Sequence, residues 1–284
     1  MNEKKYSVAL IAVAFFWSLK GVLYKSIDWS PAAICAVRDL VAFVVYGLYR
    51  KSFKLKINRN IVIGALLSMS SNMLFTYANK LTLAANAIVL NYTNTAVIVL
   101  ITWLILRERI SRREILSALL VVFGVVVFFC GSISGGHIVG DLIALLSGIL
   151  IGIKTVFDNK TPELPTEHYM LACLMSMAIG LPDIITSPPE FTFNEIAAVL
   201  VLAVFAVAVP GILYAITIKK VNQVKAGIIL TLDPILNALI VAFVIGEIPE
   251  LLSIIGGLIV VASVGVVCIP EKRYILMNDW RKKT

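Results

Sequence analysis

The sequence predicts an all-α membrane protein with ten transmembrane helices in two inverted five-helix repeats. Three observations predict this fold: the chain is too hydrophobic for a soluble protein, its second half repeats its first, and its cations fall in alternate loops. Of the 284 residues, 60% are hydrophobic and 15% are charged, whereas soluble domains carry about 25% charged residues. The apolar runs are hydrophobic on all sides, which favours helices that face lipid.

Ten runs are long and apolar enough to cross a bilayer, which takes about 20 residues. Charge clusters and stretches rich in proline, glycine, asparagine and serine separate them. The cluster Arg50–Arg59 follows span two, and the cluster Arg107–Arg113 follows span four. Spans six and seven are short and carry Lys154 and Pro182. In chain order the predicted spans are 6–25, 31–49, 60–79, 84–106, 115–132, 140–157, 168–186, 195–218, 224–245 and 251–269.

The distribution of lysine and arginine predicts the orientation. With the N-terminus in the cytoplasm, 20 of the 25 lysines and arginines fall on the cytoplasmic side, including Lys225 at the inner end of span nine. Only Lys25, at the outer end of span one, and Lys80 fall on the outer side. The other three, Lys20, Arg38 and Lys154, lie within spans. Cations are normally enriched in cytoplasmic loops, and adding or removing one span would scramble this pattern. We therefore expect a multi-pass protein of the cell (inner) membrane with cytoplasmic N- and C-termini.

The net charge of +8 does not require a nucleic-acid partner. Because most of the cations lie in the predicted cytoplasmic loops, they face the anionic lipid of the inner leaflet. The lipid bilayer is thus the partner that this charge indicates.

The second half of the chain repeats the first when the sequence is shifted by 139 positions, so that 87–125 overlays 226–264. Five spans in each half is an odd number, and the second half must therefore cross the membrane in the opposite direction. We assign 1–133 to the first five-helix repeat and 134–284 to the second, inverted repeat, as parts of one transport unit. Inverted repeats that meet near the midplane suit alternating access.

Short motifs at matching positions of both halves identify a family. They are Ala226, Leu232-Asp233-Pro234 and Gly246-Glu247 in the second half, Ala87, Asn94-Thr95 and Arg107-Glu108 in the first, and Trp17, Lys25 and Arg38 in spans one and two. With them the whole chain resembles the EamA-type carriers of the drug/metabolite transporter superfamily. The resemblance implies a secondary transporter that exports an amino acid or a related small metabolite. That family usually has a proline where this chain has Thr95, so whether span four breaks its helix stays open.

Asp233 and Pro234 are the first candidates for a substrate or proton pathway. Asp233 lies about nine residues into span nine, roughly 13 Å deep at 1.5 Å per residue. A carboxylate at that depth is costly unless it is paired, hydrated or protonated. Pro234 removes one backbone donor and frees a carbonyl near position 230. Together they predict a site for a substrate amine, a cation or a coupling proton, and the alternative is a protonated aspartate bonded to a neighbouring helix.

Three polar residues of span four form the second candidate group. Asn91, Asn94 and Thr95 are spaced i, i+3 and i+4, so they share one face of a helix. They could bind polar groups of a substrate, or they could bond span four to a neighbouring helix.

Spans three and eight carry matching irregularities. Ser71 and Asn72 overlay Pro210 and Gly211 at the same offset of 139. We expect both helices to be interrupted there, either as a hinge or as the lining of a cavity. Spans three, four, eight and nine are accordingly predicted to line the transport path.

The cations within spans complete the candidate set. Lys20 overlays Lys154 at an offset of 134, and each could snorkel to an interface or attract a substrate carboxylate in one conformation. Arg38 is followed by Asp39, and adjacent helical residues point about 100° apart. We therefore expect Arg38 and Asp39 to have different partners, with Arg38 either structural or part of a gate.

The sequence gives less support to the other classes of function. The only histidines, His137 and His168, lie in or beside loops, and no nucleophile–base pair or metal-ligand motif is visible, so neither an enzyme nor a cofactor or metal is expected. The alternative to a carrier is a channel, or a membrane sensor or scaffold, because a pseudo-symmetric channel can share this pattern. The expected partners are a small-molecule substrate, the bilayer and coupling protons, and the expected oligomeric state is a monomer or a homodimer.

Overall fold

The structure, a computed structural model, describes residues 3–107, 112–135, 137–217, 220, 230, 232–244, 246 and 250–268. Every regular element in these residues is helical. In chain order the helices are α1 (Glu3–Ser18), α2 (Lys20–Lys25), α3 (Pro31–Arg50), α4 (Arg59–Leu81), α5 (Ala84–Asn91), α6 (Asn94–Leu104), α7 (Arg112–Gly135), α8 (Ile138–Lys160), α9 (Pro165–Thr186), α10 (Phe193–Val201), a π-helical segment (Leu202–Ala208), α11 (Val209–Thr217), α12 (Leu232–Val244) and α13 (Leu251–Cys268).

Seven helical runs within the described residues are long and apolar enough to cross a membrane, and two shorter apolar helices accompany them. Large apolar side chains cover the outward faces, and Phe193 and Phe243 are 85% and 87% exposed. Such faces need an apolar solvent. The prediction of an all-helical chain with several membrane-length helices is confirmed, whereas the number ten and the inverted arrangement stay predictions. Glu108 and Glu247 lie outside the described residues.

Two of the membrane-length runs are broken. The first run bends at Leu19, between α1 and α2, and the run of span four bends at Tyr92 and Thr93, between α5 and α6. Span four therefore breaks just before Thr95, although this chain has no proline at that position. Gly21 in α2 and Tyr92 in the second break both contact α12.

The interruption predicted at Ser71 and Asn72 is wrong, because α4 continues through both residues. The Ser71 hydroxyl donates to the Ser68 carbonyl at 3.1 Å, and the Asn72 amide donates to the same carbonyl at 2.8 Å. Polar side chains that bond back to their own helix are satisfied without unwinding it. The polar run is therefore compatible with a continuous helix.

The interruption predicted at Pro210 and Gly211 in span eight takes the form of a π-helical segment just before them. Pro210 cannot donate to the carbonyl four residues earlier, and its ring crowds that carbonyl. The chain widens into the π-helical segment just before it, where the Val209 N–H bonds to the Val204 carbonyl five residues back. Tyr46 of α3 donates its hydroxyl to the Val207 carbonyl at 3.3 Å. A Cβ at Gly211 would overlap that hydroxyl, so glycine is needed there.

The helices pack in a definite set of pairs. The strongest contacts join α7 to α13, α3 to α9, and α4 to α8 and α9. The helix α1 packs on α11 and α12, while α5 and α6 pack on α8, and α5 also contacts α12. The broken helices therefore lie on α8 and α12, inside a frame that includes α3, α4 and α9.

Side chains tie the helices together at what we name the Trp29 end (residues 26–30, 82–83 and 187–192). The Trp29 indole donates to the Glu190 carbonyl at 3.1 Å, and the Asp28 backbone N–H donates to Glu195 at 3.0 Å. The Thr82 hydroxyl donates to Asp141 at 2.6 Å. These bonds connect the turn before α3 to the region between α9 and α10.

The opposite end, named the Arg50 end (residues 51–58 and 161–164), is tied in a similar way. Lys56 bonds to Glu167 at 3.0 Å, and Asn58 donates to Glu163 at 2.9 Å. Hydrogen bonds from its own backbone N–H and from the Asn58 and Asn60 amides hold the pKa of the Glu163 carboxyl below its usual value. The turns between α3 and α4 and between α8 and α9 are thus joined.

Arg38 and Asp39 form a buried ion pair, which corrects the expectation that they have different partners. Nε and Nη2 of Arg38 bond to the two Asp39 carboxylate oxygens at 2.6 and 2.8 Å. Nη1 donates to the Tyr24 hydroxyl at 2.6 Å and to the Thr76 hydroxyl at 2.8 Å. The 100° separation applies to the Cβ directions, and the long arginine side chain curls back across it. Since Arg38 is only 1% exposed, no water can replace the carboxylate.

We predict that replacing one partner of this pair destabilises the protein more than replacing both. A buried charge left alone typically costs about 3–5 kcal/mol, whereas an apolar pair of similar volume is often neutral. In thermal unfolding of purified protein, Arg38→Met and Asp39→Leu alone should each lower Tm strongly, and the double variant should recover most of the loss. Lys54→Met, at an exposed position, is the control. Additive losses in the double variant would contradict the pairing.

Candidate functional site

The break in the first helix faces α12. Asn237 of α12 donates its side-chain amide to the Ser18 carbonyl, the last of α1, at 2.7 Å. A Cβ at Gly21 of α2 would lie 2.6 Å from the Asn237 amide nitrogen, so glycine lets the two segments meet. Both Ser18 and Asn237 are fully buried. This contact fixes the first turn of α2 against α12.

Asp233 lies one helical turn before Asn237 and shares its face of α12. The side chain is 7% exposed, and its Oδ1 accepts no hydrogen bond from any described residue. Neither Asp233 nor Lys20 of α2 has an ion-pair partner within 4.0 Å in the described part of the chain. Asp233 thus presents a buried carboxylate oxygen that no described residue satisfies.

Lys20 is held beside an aromatic ring at the helix break. Its Nζ lies 5.0 Å from the centroid of the Trp17 ring, a cation–π distance. Trp17 in turn packs on Tyr214 of α11, with ring centroids 5.6 Å apart. The ammonium is therefore positioned by α1 and α11 rather than by a carboxylate.

The carbonyl expected to be freed by Pro234 has a partner. Tyr92, in the break between α5 and α6, donates its hydroxyl to the Leu230 carbonyl at 2.8 Å. Leu230 is four residues before Pro234, whose missing N–H would otherwise bond there. Tyr92 also interacts with the Asp233 side chain. The break in span four is therefore joined to span nine by this hydrogen bond.

Asn91 does not join this group, because its side chain bonds α5 to α8. Its amide donates to the Ser147 hydroxyl at 3.0 Å, and that hydroxyl donates to the Ser71 carbonyl at 2.9 Å. Of the two alternatives for Asn91, the structure has the contact between helices. A Cβ at Gly148 would lie 2.7 Å from the Asn91 carbonyl oxygen, so close packing of α5 on α8 requires this glycine.

Asn94 and Thr95 begin α6. The Asn94 carbonyl oxygen packs against Gly152 of α8, where a Cβ would come within 2.9 Å of it. Asn94 is half-buried, and the Thr95 side chain lies outside the described part of the structure. The first turn of α6 thus meets α8 at a small residue.

The Lys154 ammonium group is bonded within the protein, so it does not need to reach the membrane interface. Its Nζ bonds to Asp158 at 2.6 Å and to the Tyr169 hydroxyl at 3.0 Å, and it lies 4.7 Å from the Tyr169 ring centroid. His168 lies 3.2 Å from the other Asp158 oxygen. Lys154 therefore belongs to a closed polar cluster near the Arg50 end, unlike Lys20.

Sequence reasoning missed three residues that shape these sites: Tyr92, Asn237 and Asp158. A signal was present for two of them. Asn237 is four residues after Asp233, and Asp158 is four residues after Lys154, so each pair shares a helix face. Tyr92 carries no comparable signal, because its acceptor comes from a distant part of the chain.

The chain is similar to known transporters over most of its length. The sequence profile of the EamA-like transporter family matches residues 4–130 and 138–269. An uncharacterized transporter of Clostridium kluyveri is 26% identical over 279 residues, which cover 89% of each chain. An uncharacterized transporter of Archaeoglobus fulgidus is 26% identical over 267 residues, covering 92% of this chain and 84% of the relative.

A solved crystal structure shares the fold. It superposes with a TM-score of 0.72 at 19% sequence identity and covers 96% of this chain and 100% of its own. At that identity the likeness concerns the fold alone. The profile, which matches most of the sequence, shows the family directly: the chain belongs to the EamA-like transporter family, part of the drug/metabolite transporter superfamily.

Proposed function

We propose that this protein is a secondary transporter that exports a small metabolite, an amino acid or related compound, by alternating access coupled to protons. The observation that carries the proposal is Asp233, a carboxylate buried where the breaks of spans one and four meet span nine, with one oxygen that no described residue partners. An intramembrane ionisable group in this state generally belongs to a substrate or ion pathway. Export, and an inner-membrane protein with cytoplasmic termini, rest on the family and on the distribution of cations.

Helix packing supports two inverted five-helix halves. The halves correspond if α1 and α2 are paired with α8, α3 with α9, α4 with the run from α10 to α11, α5 and α6 with α12, and α7 with α13. If each helix is replaced by its counterpart in the other half, the contact of α4 with α8 corresponds to the contact of α11 with α1. In the same way, the contact of α5 and α6 with α8 corresponds to the contact of α12 with α1. All of these contacts exist, as expected for inverted repeats.

The ties at the two ends support a fixed frame. At the Arg50 end, hydrogen bonds and an ion pair join the turn between α3 and α4 to the turn between α8 and α9. The turn before α3 and the region between α9 and α10 join at the Trp29 end. We infer that α3, α4, α9 and α10 form the frame and that the broken helices rock within it. Span one thereby joins spans four and nine at the path.

We predict that Asp233→Asn abolishes flux driven by a proton gradient and leaves folding intact, because the amide can neither release a proton nor attract an ammonium. The measurement is transport into proteoliposomes, with a substrate chosen by thermal-shift screening. A ligand at 100 times its Kd adds about 2.7 kcal/mol to stability.

Asp141→Asn is the matched control for this variant. Asp141 is also a buried aspartate in the first turn of a helix and also has one oxygen, Oδ2, that no described residue partners, but its Oδ1 accepts from Thr82 at the Trp29 end, away from the helix breaks. Gradient-driven flux should persist in this control. Flux at the wild-type rate in Asp233→Asn would remove Asp233 from the pathway.

We further predict an energetic coupling between Tyr92 and Pro234. Tyr92→Phe should lower stability by about 1 kcal/mol, the net worth of one hydrogen bond, because it leaves the Leu230 carbonyl unpaired. In a Pro234→Ala background the restored N–H can take that carbonyl, so the same change should have a smaller effect. Unfolding of the four proteins gives the coupling energy. Tyr49→Phe, at an exposed position, is the control, and equal losses in both backgrounds would refute the contact.

A further inference from the structure

Residues 50–59 carry five cations, and carboxylates of the described residues balance only two of them. Arg50 and Lys56 form ion pairs with Glu167, at 3.7 and 3.0 Å. The other three are exposed and have no ion-pair partner within 4.0 Å in the described part of the chain: Lys51, Lys54 and Arg59. The Arg50 end therefore presents positive charge that the rest of the fold leaves unbalanced.

The segment that follows α3 is folded back onto that helix. Lys51 has a left-handed backbone, at φ 52°, and ends α3. The Phe53 ring packs on Gly47, where a Cβ would overlap it, and its centroid lies 5.7 Å from that of Phe43. Lys51 and Lys54 stand on either side of Phe53 in the sequence. Both lysines are thereby held beside the last turns of α3.

An apolar stripe on α3 leads to these lysines. The exposed side chains between Pro31 and Leu48 are spaced four residues apart and share one face of the helix. They are Leu40, Val44 and Leu48, which are 46%, 42% and 66% exposed. The stripe is about 12 Å long, and Lys51 follows it within one helical turn. A cationic end that adjoins an apolar stripe matches the headgroup and an acyl chain of a phospholipid.

We propose that Lys51 and Lys54 bind the headgroup phosphate of one anionic phospholipid, whose acyl chain lies along the stripe of α3. The two ammonium groups donate to phosphate oxygens, as charge-assisted hydrogen bonds. Charge complementarity selects an anionic lipid, because the cationic group of a zwitterionic headgroup would be repelled by the lysines. This discrete site goes beyond the general attraction of cytoplasmic cations to the inner leaflet, and it does not depend on the proposed transport function.

The other end of the frame has no equivalent charge. The loop 187–192, between α9 and α10, contains Glu190 and neither lysine nor arginine. The two lysines near that end are bonded within the protein, because Lys25 donates to the Thr82 carbonyl and Lys80 to the Ile27 carbonyl. The lipid site is therefore confined to the leaflet that faces the Arg50 end.

The loop that carries the two lysines is also tied to the frame. Lys56 bonds to Glu167 of α9, and Asn58 donates to Glu163 in the turn between α8 and α9. A lipid held by this loop therefore binds the native arrangement of three helices. Because a ligand that binds only the native state stabilises it, the lipid should raise Tm.

Native mass spectrometry of the purified full-length protein in detergent tests the site. The probes are phosphatidylglycerol and phosphatidylcholine with identical acyl chains. The wild type should retain one phosphatidylglycerol at least about tenfold more tightly than phosphatidylcholine. Since one cation near an anionic lipid contributes roughly a fivefold factor in affinity, Lys51→Gln/Lys54→Gln should bind both lipids alike. Leu48→Ser should weaken both lipids and keep the preference.

The single variant Lys54→Gln leaves the turn at Lys51 unchanged and should lose about a fivefold factor. The matched control is Arg107→Gln/Arg112→Gln, which removes two exposed cations that follow span four, on the same predicted side. It should keep the full preference. An unchanged Tm of each variant in lipid-free detergent shows that it is folded.

Three results would overturn the inference. Equal retention of the two lipids by the wild type would exclude a site for anionic lipid. An equal loss of preference in the control variant would leave only general attraction between charges. Displacement of the bound lipid by equimolar glycerol 1-phosphate, which has no acyl chain, would show a plain phosphate site that does not use the stripe.

Discussion

Hydrocarbon offers no hydrogen bonds, so each polar atom inside the bilayer has to find its partner within the protein. The packing of this protein's helices meets that need for its buried cations. Arg38 is surrounded by Asp39, Tyr24 and Thr76, and Lys154 by Asp158 and Tyr169. Asp233 Oδ1 is one of several buried polar atoms that no described residue partners, and it lies on the helix that both helix breaks contact.

The same constraint explains the contacts at the helix breaks. A break frees backbone groups, and an apolar surrounding tolerates it only if side chains take those groups up. The Asn237 amide takes the Ser18 carbonyl, and the Tyr92 hydroxyl takes the carbonyl that Pro234 cannot serve. Each bond crosses between the two parts of the chain matched by the family profile. A movement of the helices at these breaks would therefore change contacts in both halves of the chain.

The all-helical membrane character could be predicted because hydropathy depends on long stretches of sequence. Asp233 also stood out, since one acidic residue in an apolar run is a strong local signal. The partners were harder, because they depend on side-chain reach and tertiary packing. The prediction for Arg38 and Asp39 was wrong because it considered Cβ directions alone. The break at Leu19 was not predicted, although Ser18, Lys20 and Gly21 flank that residue.

The central claim is that the Asp233 carboxylate meets the transported ligand. Infrared difference spectroscopy of the ligand-bound against the ligand-free protein tests it directly, because a carboxylate band shifts when the group gains an ionic partner. We expect ligand binding to produce a carboxylate difference band that is present in the wild type and in Asp141→Asn and is missing in Asp233→Asn. The same band in Asp233→Asn, at ligand concentrations that saturate it, would contradict the account.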